Sequence, residues 1–200
     1  MRVILLRHTE SEANLKRVYG GRRDFKLTEK GIKQIEDLVE TLNNSYEIST
    51  LNNVRIYSSP LSRCKDFGEA IAKTINKELL CDKRLEEFDF GIFEGYAYEE
   101  LSNNEFYRLW CEDYFNYEIP KGESLKLFRK RVESFIKEVL EKNFRDDLVI
   151  VAHEGVIKVV LLYILKLPIE NFWSFYCGNG SVVELIYENN FGYIKSLYNN

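Results

Sequence analysis

Histidine is scarce: only His8 and His153 occur in 200 residues. Two imidazoles without a third ligand at metal-binding spacing make a poor zinc site, so no metal and no cofactor are expected. The four cysteines, Cys64, Cys81, Cys111 and Cys177, form no CxxC pair and have no histidine at ligand spacing; they read as reduced thiols. Cationic excess is missing too. A net charge of -4 argues against a nucleic-acid partner. No apolar run reaches membrane-spanning length, and Met1 leads straight into a strand without the n- and h-regions of a signal peptide, which predicts a cytoplasmic protein with no membrane partner. Repeats, low-complexity tracts and linkers are likewise absent.

With 45% hydrophobic and 14% aromatic residues, the chain suits one domain over residues 1–200 with a substantial core. Val3 to Leu6 is a short apolar run of the kind that fills a central parallel strand, and it stops at Arg7 and His8. Asp147 to His153 repeats the pattern. Both histidines therefore stand at strand ends, where open α/β sheets bind ligands.

Thr9 to Arg17 is predicted as the first helical turns, capped by Thr9 or Ser11, with N–H groups aimed at an anion held by Arg7 and His8. Tyr19 to Asp24 reads as a loop in which Gly20 and Gly21 either let backbone approach a ligand or make an ordinary turn. Beside them, Arg22 and Arg23 are solvated charge or steer anions. Thr28 caps a helix whose apolar face is Ile32, Ile35, Leu38, Val39 and Leu42; polar Asn43 to Thr50 connects it to a strand at Val54–Ser58. Ser59-Pro60 is predicted to open the next helix, placing Arg63 where it reaches back to the crevice.

Lys77 to Cys81 suits a short edge strand. Arg84 to Gly95 is too rich in glycine, acid and aromatics for an ordinary helix, and the aromatic block from Tyr96 to Pro120 suggests a small helical cap, an insertion at about 88–121. Stacking on substrate and plain core packing both explain its rings. Gly122-Glu-Ser124 opens a long helix to about Asn143, another spans Val156 to Leu165, and Ser181–Tyr187 with Tyr193–Tyr198 form an antiparallel hairpin. The alternation predicts a three-layer α/β/α sandwich with a mostly parallel sheet.

If the three strands are neighbours, Arg7, His8, Arg63 and His153 converge on a cationic volume suited to a tetrahedral oxyanion, because guanidinium forks pair with phosphate oxygens. Histidine also attacks phosphorus, so one imidazole can accept a phosphoryl group while the other groups stabilise its oxygens. Among Glu86, Glu87 and Asp89, alternation along an extended segment would put Glu87 and Asp89 on one side.

Leu6-Arg-His-Thr-Glu-Ser11 with Asn14, Ser58-Ser-Pro-Leu-Ser-Arg63, Leu85 to Gly95, Gly122-Glu-Ser124 and Val151-Ala-His-Glu-Gly155 resemble, in order and spacing, the histidine phosphatase superfamily, or phosphoglycerate mutase-like family. The resemblance spans nearly the whole chain. It implies His8 as the nucleophile, His153, Arg7 and Arg63 as the rest of the phosphate pocket, and Glu87 as the acid and later base. It further implies that Asn14 and the backbone at Glu154 complete the phosphate contacts. Within the family, the compact length, Phe90 to Gly95, Trp110 to Asp113 and Ile119 to Leu125 resemble the α-ribazole phosphatases, which remove a 5′-phosphate in cobalamin nucleotide-loop assembly. The partner is then a small phosphorylated metabolite, handled by a monomer or homodimer. A broad-specificity or sugar phosphatase, a phosphoglycerate mutase and a non-catalytic phosphate-binding module on the same fold are the alternatives.

Three departures stand out. Thr9 replaces a glycine close to the phosphate, where its hydroxyl is able to donate. Glu154 replaces a glycine and would repel substrate unless it points away. Lys158 replaces an arginine, keeping charge but losing the fork.

Overall fold

The computed structural model describes residues 1–51, 53–142 and 146–199. At its centre lies β1 (Arg2–Arg7), whose residues Val3 to Leu6 have no solvent exposure. It pairs in parallel with β4 (Leu148–Ala152), which pairs in parallel with β2 (Arg55–Ser58), and β2 with the edge strand β3 (Leu79–Cys81). On the other side of β1 run β5 (Val182–Glu188) and β6 (Phe191–Tyr198), antiparallel, so the order is β3-β2-β4-β1-β5-β6. The mostly parallel sheet is the expected one. Its hairpin turns on Asn189 and Asn190 alone, both at positive φ (51° and 61°), a conformation asparagine tolerates and a two-residue turn requires.

Strand alternation divides the core in two. Val3, Leu5, Ile150 and Ala152 face α6 (Leu125–Lys142) and α7 (Glu154–Leu165), while Ile4, Leu6, Val149 and Val151 face α2 (Glu29–Tyr46) and α3 (Ser62–Thr74). Helices thus cover both faces. Phe128, Val132, Phe135, Ile136 and Val139 are all buried along α6; its expected end at Asn143 lies outside the described residues. Among the described residues no helix is long and apolar enough to cross a membrane.

Several boundaries differ from the sequence reading. The first helix, α1, spans only Glu12–Lys16, because Glu10 to Glu12 are drawn into backbone pairing with Lys26, Leu27 and Thr28. Ser11 precedes it, and Thr9 caps nothing. On α2, Ile32 is 55% exposed, and the helix continues through Asn43 to Tyr46 because Tyr46 and then Ile48 bury themselves in the core. Ser59-Pro60 does not open α3. Ser59 is engaged by His153, and the helix starts at Ser62, whose N–H and hydroxyl both donate to Asp24 Oδ1 at 2.8 and 2.9 Å.

Between Gly91 and Gly122 the chain forms α4 (Tyr98–Leu101) and α5 (Glu105–Glu112) beyond the carboxyl ends of the strands. The two ends of this excursion are stitched together: Ile92 N–H donates to Pro120 O at 3.1 Å and Glu123 N–H to Asp89 O at 3.1 Å.

Candidate active site

Parallel register aligns the strand ends. Arg7 lies opposite Ala152 and Ser58 opposite Val151, so the next residues, His8, His153 and Ser59, emerge on one edge of the sheet. There Arg7, His8, Arg63, Glu87, His153 and Glu154 line one pocket, with Asn14, Gly20 and Gly21 on its wall. The nine residues expected as catalytic, phosphate-binding or substrate-binding are thus brought together, whereas Thr9, Arg22, Arg23, Glu86, Asp89 and Lys158 do not line this pocket.

His8 is buried, and its Nδ1 lies 2.7 Å from Thr9 O. A carbonyl oxygen only accepts, so Nδ1 carries the proton and Nε2 is left with its lone pair on the pocket side. Burial, then the charges of Arg63 and Arg7, hold its pKa well below the usual 6.5, which favours the neutral ring that a nucleophilic role requires. The His153 ring stands 5.2 Å away, edge to face, its Nε2 2.9 Å from Ser59 Oγ. It too is kept neutral, by burial first and then by Arg63, His8 and Arg7.

The guanidiniums are pre-set by backbone carbonyls. Arg63 donates to Arg23 O at 3.0 Å and Gly21 O at 2.7 Å. Arg7 donates to Cys177 O at 2.5 Å, while its buried Nε has no partner among the described residues and is available to an oxyanion. Asn14 Oδ1 is consumed by three donors, Ser11 N–H, Ser11 Oγ and Asn179 Nδ2, at 2.9, 2.7 and 3.0 Å, which turns its NH₂ into the free end.

Opposite His8 sits Glu87. It accepts N–H groups from Phe88 at 2.9 Å and Gly155 at 3.2 Å, and burial nevertheless raises its pKa above the usual 4.5 against those bonds and the two arginines. A carboxyl so placed is able to donate a proton. The alternation argument fails beside it: Glu86 and Asp89 both pair with Arg22 at 3.3 Å, leaving Glu87 alone on the pocket. The reason is Arg131, which donates to the carbonyls of Arg84, Glu86 and Glu87 and holds the segment out of strand geometry. Arg22 is thereby paired, and Arg23 lies over the Phe25 ring, 4.9 Å from its centroid.

Glu154 does not point away. Its Oε2 lies 3.0 Å from Arg7 Nη1 and its Oε1 2.8 Å from Lys158 Nζ. Thr9 lines no part of the pocket; its carbonyl holds His8, and its buried hydroxyl has no partner among the described residues.

Besides Arg131, three supporting residues escaped the sequence reading. Ser59 orients His153 but looked like a helix cap. Asn179 anchors Asn14, and its one signal is a polar side chain between two glycines just ahead of a strand. Glu94 accepts the N–H groups of Arg22 and Arg23, both at 2.7 Å, fixing the loop in which Gly21 adopts φ +50°, and its flanking by glycine and aromatics was the available hint.

A second cavity, of about 470 Å³ including its mouth, adjoins the first across Glu87 and Phe90. Phe88, Trp110, Tyr114, Phe172 and Trp173 line it together with Lys158, whose Nζ lies over the Phe172 and Trp173 rings, 5.4 and 5.1 Å from their centroids. Trp110 also packs on Phe90, Phe93 and Tyr107, so it serves core and cavity together. Its buried Nε1–H is without a partner among the described residues. Tyr96 and Tyr98 are exposed and line neither cavity. No group of three or more His, Cys, Asp or Glu among the described residues is arranged to hold a metal ion.

The family model of the Histidine phosphatase superfamily (branch 1) matches residues 3–200. The chain belongs to that superfamily. It is 34% identical to phosphoserine phosphatase 1 of Hydrogenobacter thermophilus, over 90% of this chain and 84% of that protein. Against the adenosylcobalamin/alpha-ribazole phosphatase of Salmonella typhimurium the identity is 30%, over 90% and 87%. The structure of the alpha-ribazole phosphatase from Shigella flexneri superposes with a TM-score of 0.88 at 27% identity, covering 98% of this chain and 96% of that one. The fold described above is phosphoglycerate mutase-like and matches that of the Shigella structure.

Proposed function

We propose that this histidine phosphatase is a phosphomonoesterase that works through a phosphohistidine at His8 and acts on α-ribazole 5′-phosphate. In the first step, His8 Nε2 attacks phosphorus, the ester P–O bond breaks, and Glu87 gives its proton to the departing oxygen. Arg7, Arg63 and the Asn14 amide hold the equatorial oxygens, with the neutral His153 imidazole beside them. Water then attacks phosphorus, the P–N bond breaks, Glu87 takes the water proton, and inorganic phosphate leaves.

One observation carries the chemistry. An imidazole with its Nδ1 proton committed to Thr9 O faces a carboxyl whose pKa burial raises, across a pocket walled by two guanidiniums. A mere phosphate binder has no use for that pair. The choice of substrate is supported by the aromatic cavity beside Glu87, which suits a planar base on the leaving group, and by the α-ribazole phosphatases among the relatives. Phosphoserine is the second reading, favoured by the Hydrogenobacter relative.

The test is steady-state hydrolysis, with EDTA present, of α-ribazole 5′-phosphate, phosphoserine, 3-phosphoglycerate, fructose 2,6-bisphosphate and p-nitrophenyl phosphate. A kcat/KM for α-ribazole 5′-phosphate far above the others is the expected outcome. Preference for phosphoserine replaces the substrate but keeps the chemistry, and absence of turnover on every ester leaves only a binding module.

A further inference from the structure

The two cavities together are lined by three basic side chains, Arg7, Arg63 and Lys158, and by the carboxylate of Glu154. Glu87 adds no charge while protonated. The remaining balance is two positive charges, enough for one phosphoryl dianion.

Lys158 would be the natural partner for a second anion on the leaving group, but it is already committed. Its side chain is 7% exposed, its Nζ is 2.8 Å from Glu154 Oε1, and it lies over two aromatic faces. The other oxygen of Glu154 reaches Arg7 at 3.0 Å, so the carboxylate spans the boundary between the phosphate pocket and the aromatic cavity. An anion carried next to the ester oxygen meets this carboxylate with no further cation among the described residues lining the two cavities to offset it. A hydroxyl or an ammonium there meets an acceptor instead.

Resting on the phosphatase reading above, we propose that Glu154 is a specificity-determining residue that admits leaving groups bearing a hydroxyl or ammonium beside the ester and rejects those bearing a second anion. The ribose hydroxyls of a nucleoside fit this rule; serine, whose α-carboxylate accompanies its ammonium, does not. A glycerate carboxylate or a second phosphate on a sugar does not.

Three two-carbon esters differing only in the terminal group test it: ethylene glycol monophosphate, O-phosphoethanolamine and phosphoglycolate, with p-nitrophenyl phosphate as the reference for phosphoryl transfer itself. The wild type should prefer the hydroxyl and ammonium esters to phosphoglycolate. Glu154→Gln frees Lys158 and should shift the ratio of kcat/KM toward phosphoglycolate by about tenfold or more, whereas Lys158→Met leaves the carboxylate without its lysine and should shift it the opposite way. Structural damage alone would not move the two variants in opposite directions, and either variant tests the rule if the other fails to fold. Equal kcat/KM for the three esters in the wild type, or the same ratio in both variants, overturns the assignment while p-nitrophenyl phosphate turnover persists. Loss of all turnover, p-nitrophenyl phosphate included, in the wild type overturns the phosphatase reading and this inference with it.

Discussion

The backbone N–H of Gly155 donates to Glu87 Oε2 at 3.2 Å, so the turn that carries His153 also sets the position of the acid. A Cβ at position 155 would stand 2.5 Å from Glu87 Oε1 and 3.1 Å from Phe128 Cζ. Gly155→Ala must therefore displace the carboxyl. We expect kcat on alkyl phosphates to fall about 10- to 100-fold, since small misplacements of a reacting group are that costly, with a much smaller loss on p-nitrophenyl phosphate. Equal kinetics for wild type and variant on alkyl esters would show that this contact does not position the acid.

Glu87→Gln should slow alkyl ester hydrolysis by about 10²- to 10⁴-fold and spare activated aryl esters, whose leaving oxygen needs no proton. The pH profile carries the same information. On the proposed route Glu87 donates only while protonated, which burial extends above the usual 4.5, so the alkaline limb of kcat/KM should belong to it and vanish in the variant. The acid limb should belong to His8 and lie below 6.5.

His8→Ala removes the proposed nucleophile while leaving the apolar core intact. Turnover should drop by on the order of 10⁴-fold or more, and rapid-quench labelling should find no acid-labile phosphoryl group on the protein. Substantial residual turnover by a folded variant sinks the phosphohistidine route.

Both histidines are buried neutral, with pKa values depressed below the 6.5 they regain on unfolding. Below that pH the unfolded chain binds protons that the folded chain refuses, so the stability they contribute is full above 6.5 and is lost as pH falls toward their folded values. Thermal melts from pH 7.5 down to 5 should show Tm declining below about 6.5, and less steeply in His153→Gln. An identical decline in the variant would locate the acid sensitivity elsewhere.

The strands and the histidines at their ends were legible because each is a short-range pattern: an apolar run, then a polar stop. Phosphate chemistry followed from which residue types those stops present. What the sequence hid is tertiary. Ile32 fits the apolar period of α2 yet is exposed, since the helix meets the sheet over a narrower stripe than the pattern suggests. Asp89 follows Glu87 at strand spacing yet turns to Arg22, because Arg131, more than 40 residues further on, shapes the segment. Glu154 read as a hazard to substrate because its partners come from β1 and from one turn along α7, and only the fold brings them together.

The closure at Ile92–Pro120 and Asp89–Glu123 has a consequence for inheritance and for engineering. Because the excursion leaves and returns at one stitched point, the acid stays where Arg131 puts it. The exchangeable part is α4 and α5, which carry Trp110, whereas Glu94 must stay because it fixes the Gly21 loop. Grafting those two helices from a relative, with their core-facing apolar residues kept, should move the choice of alcohol and leave the machinery of phosphoryl transfer in place.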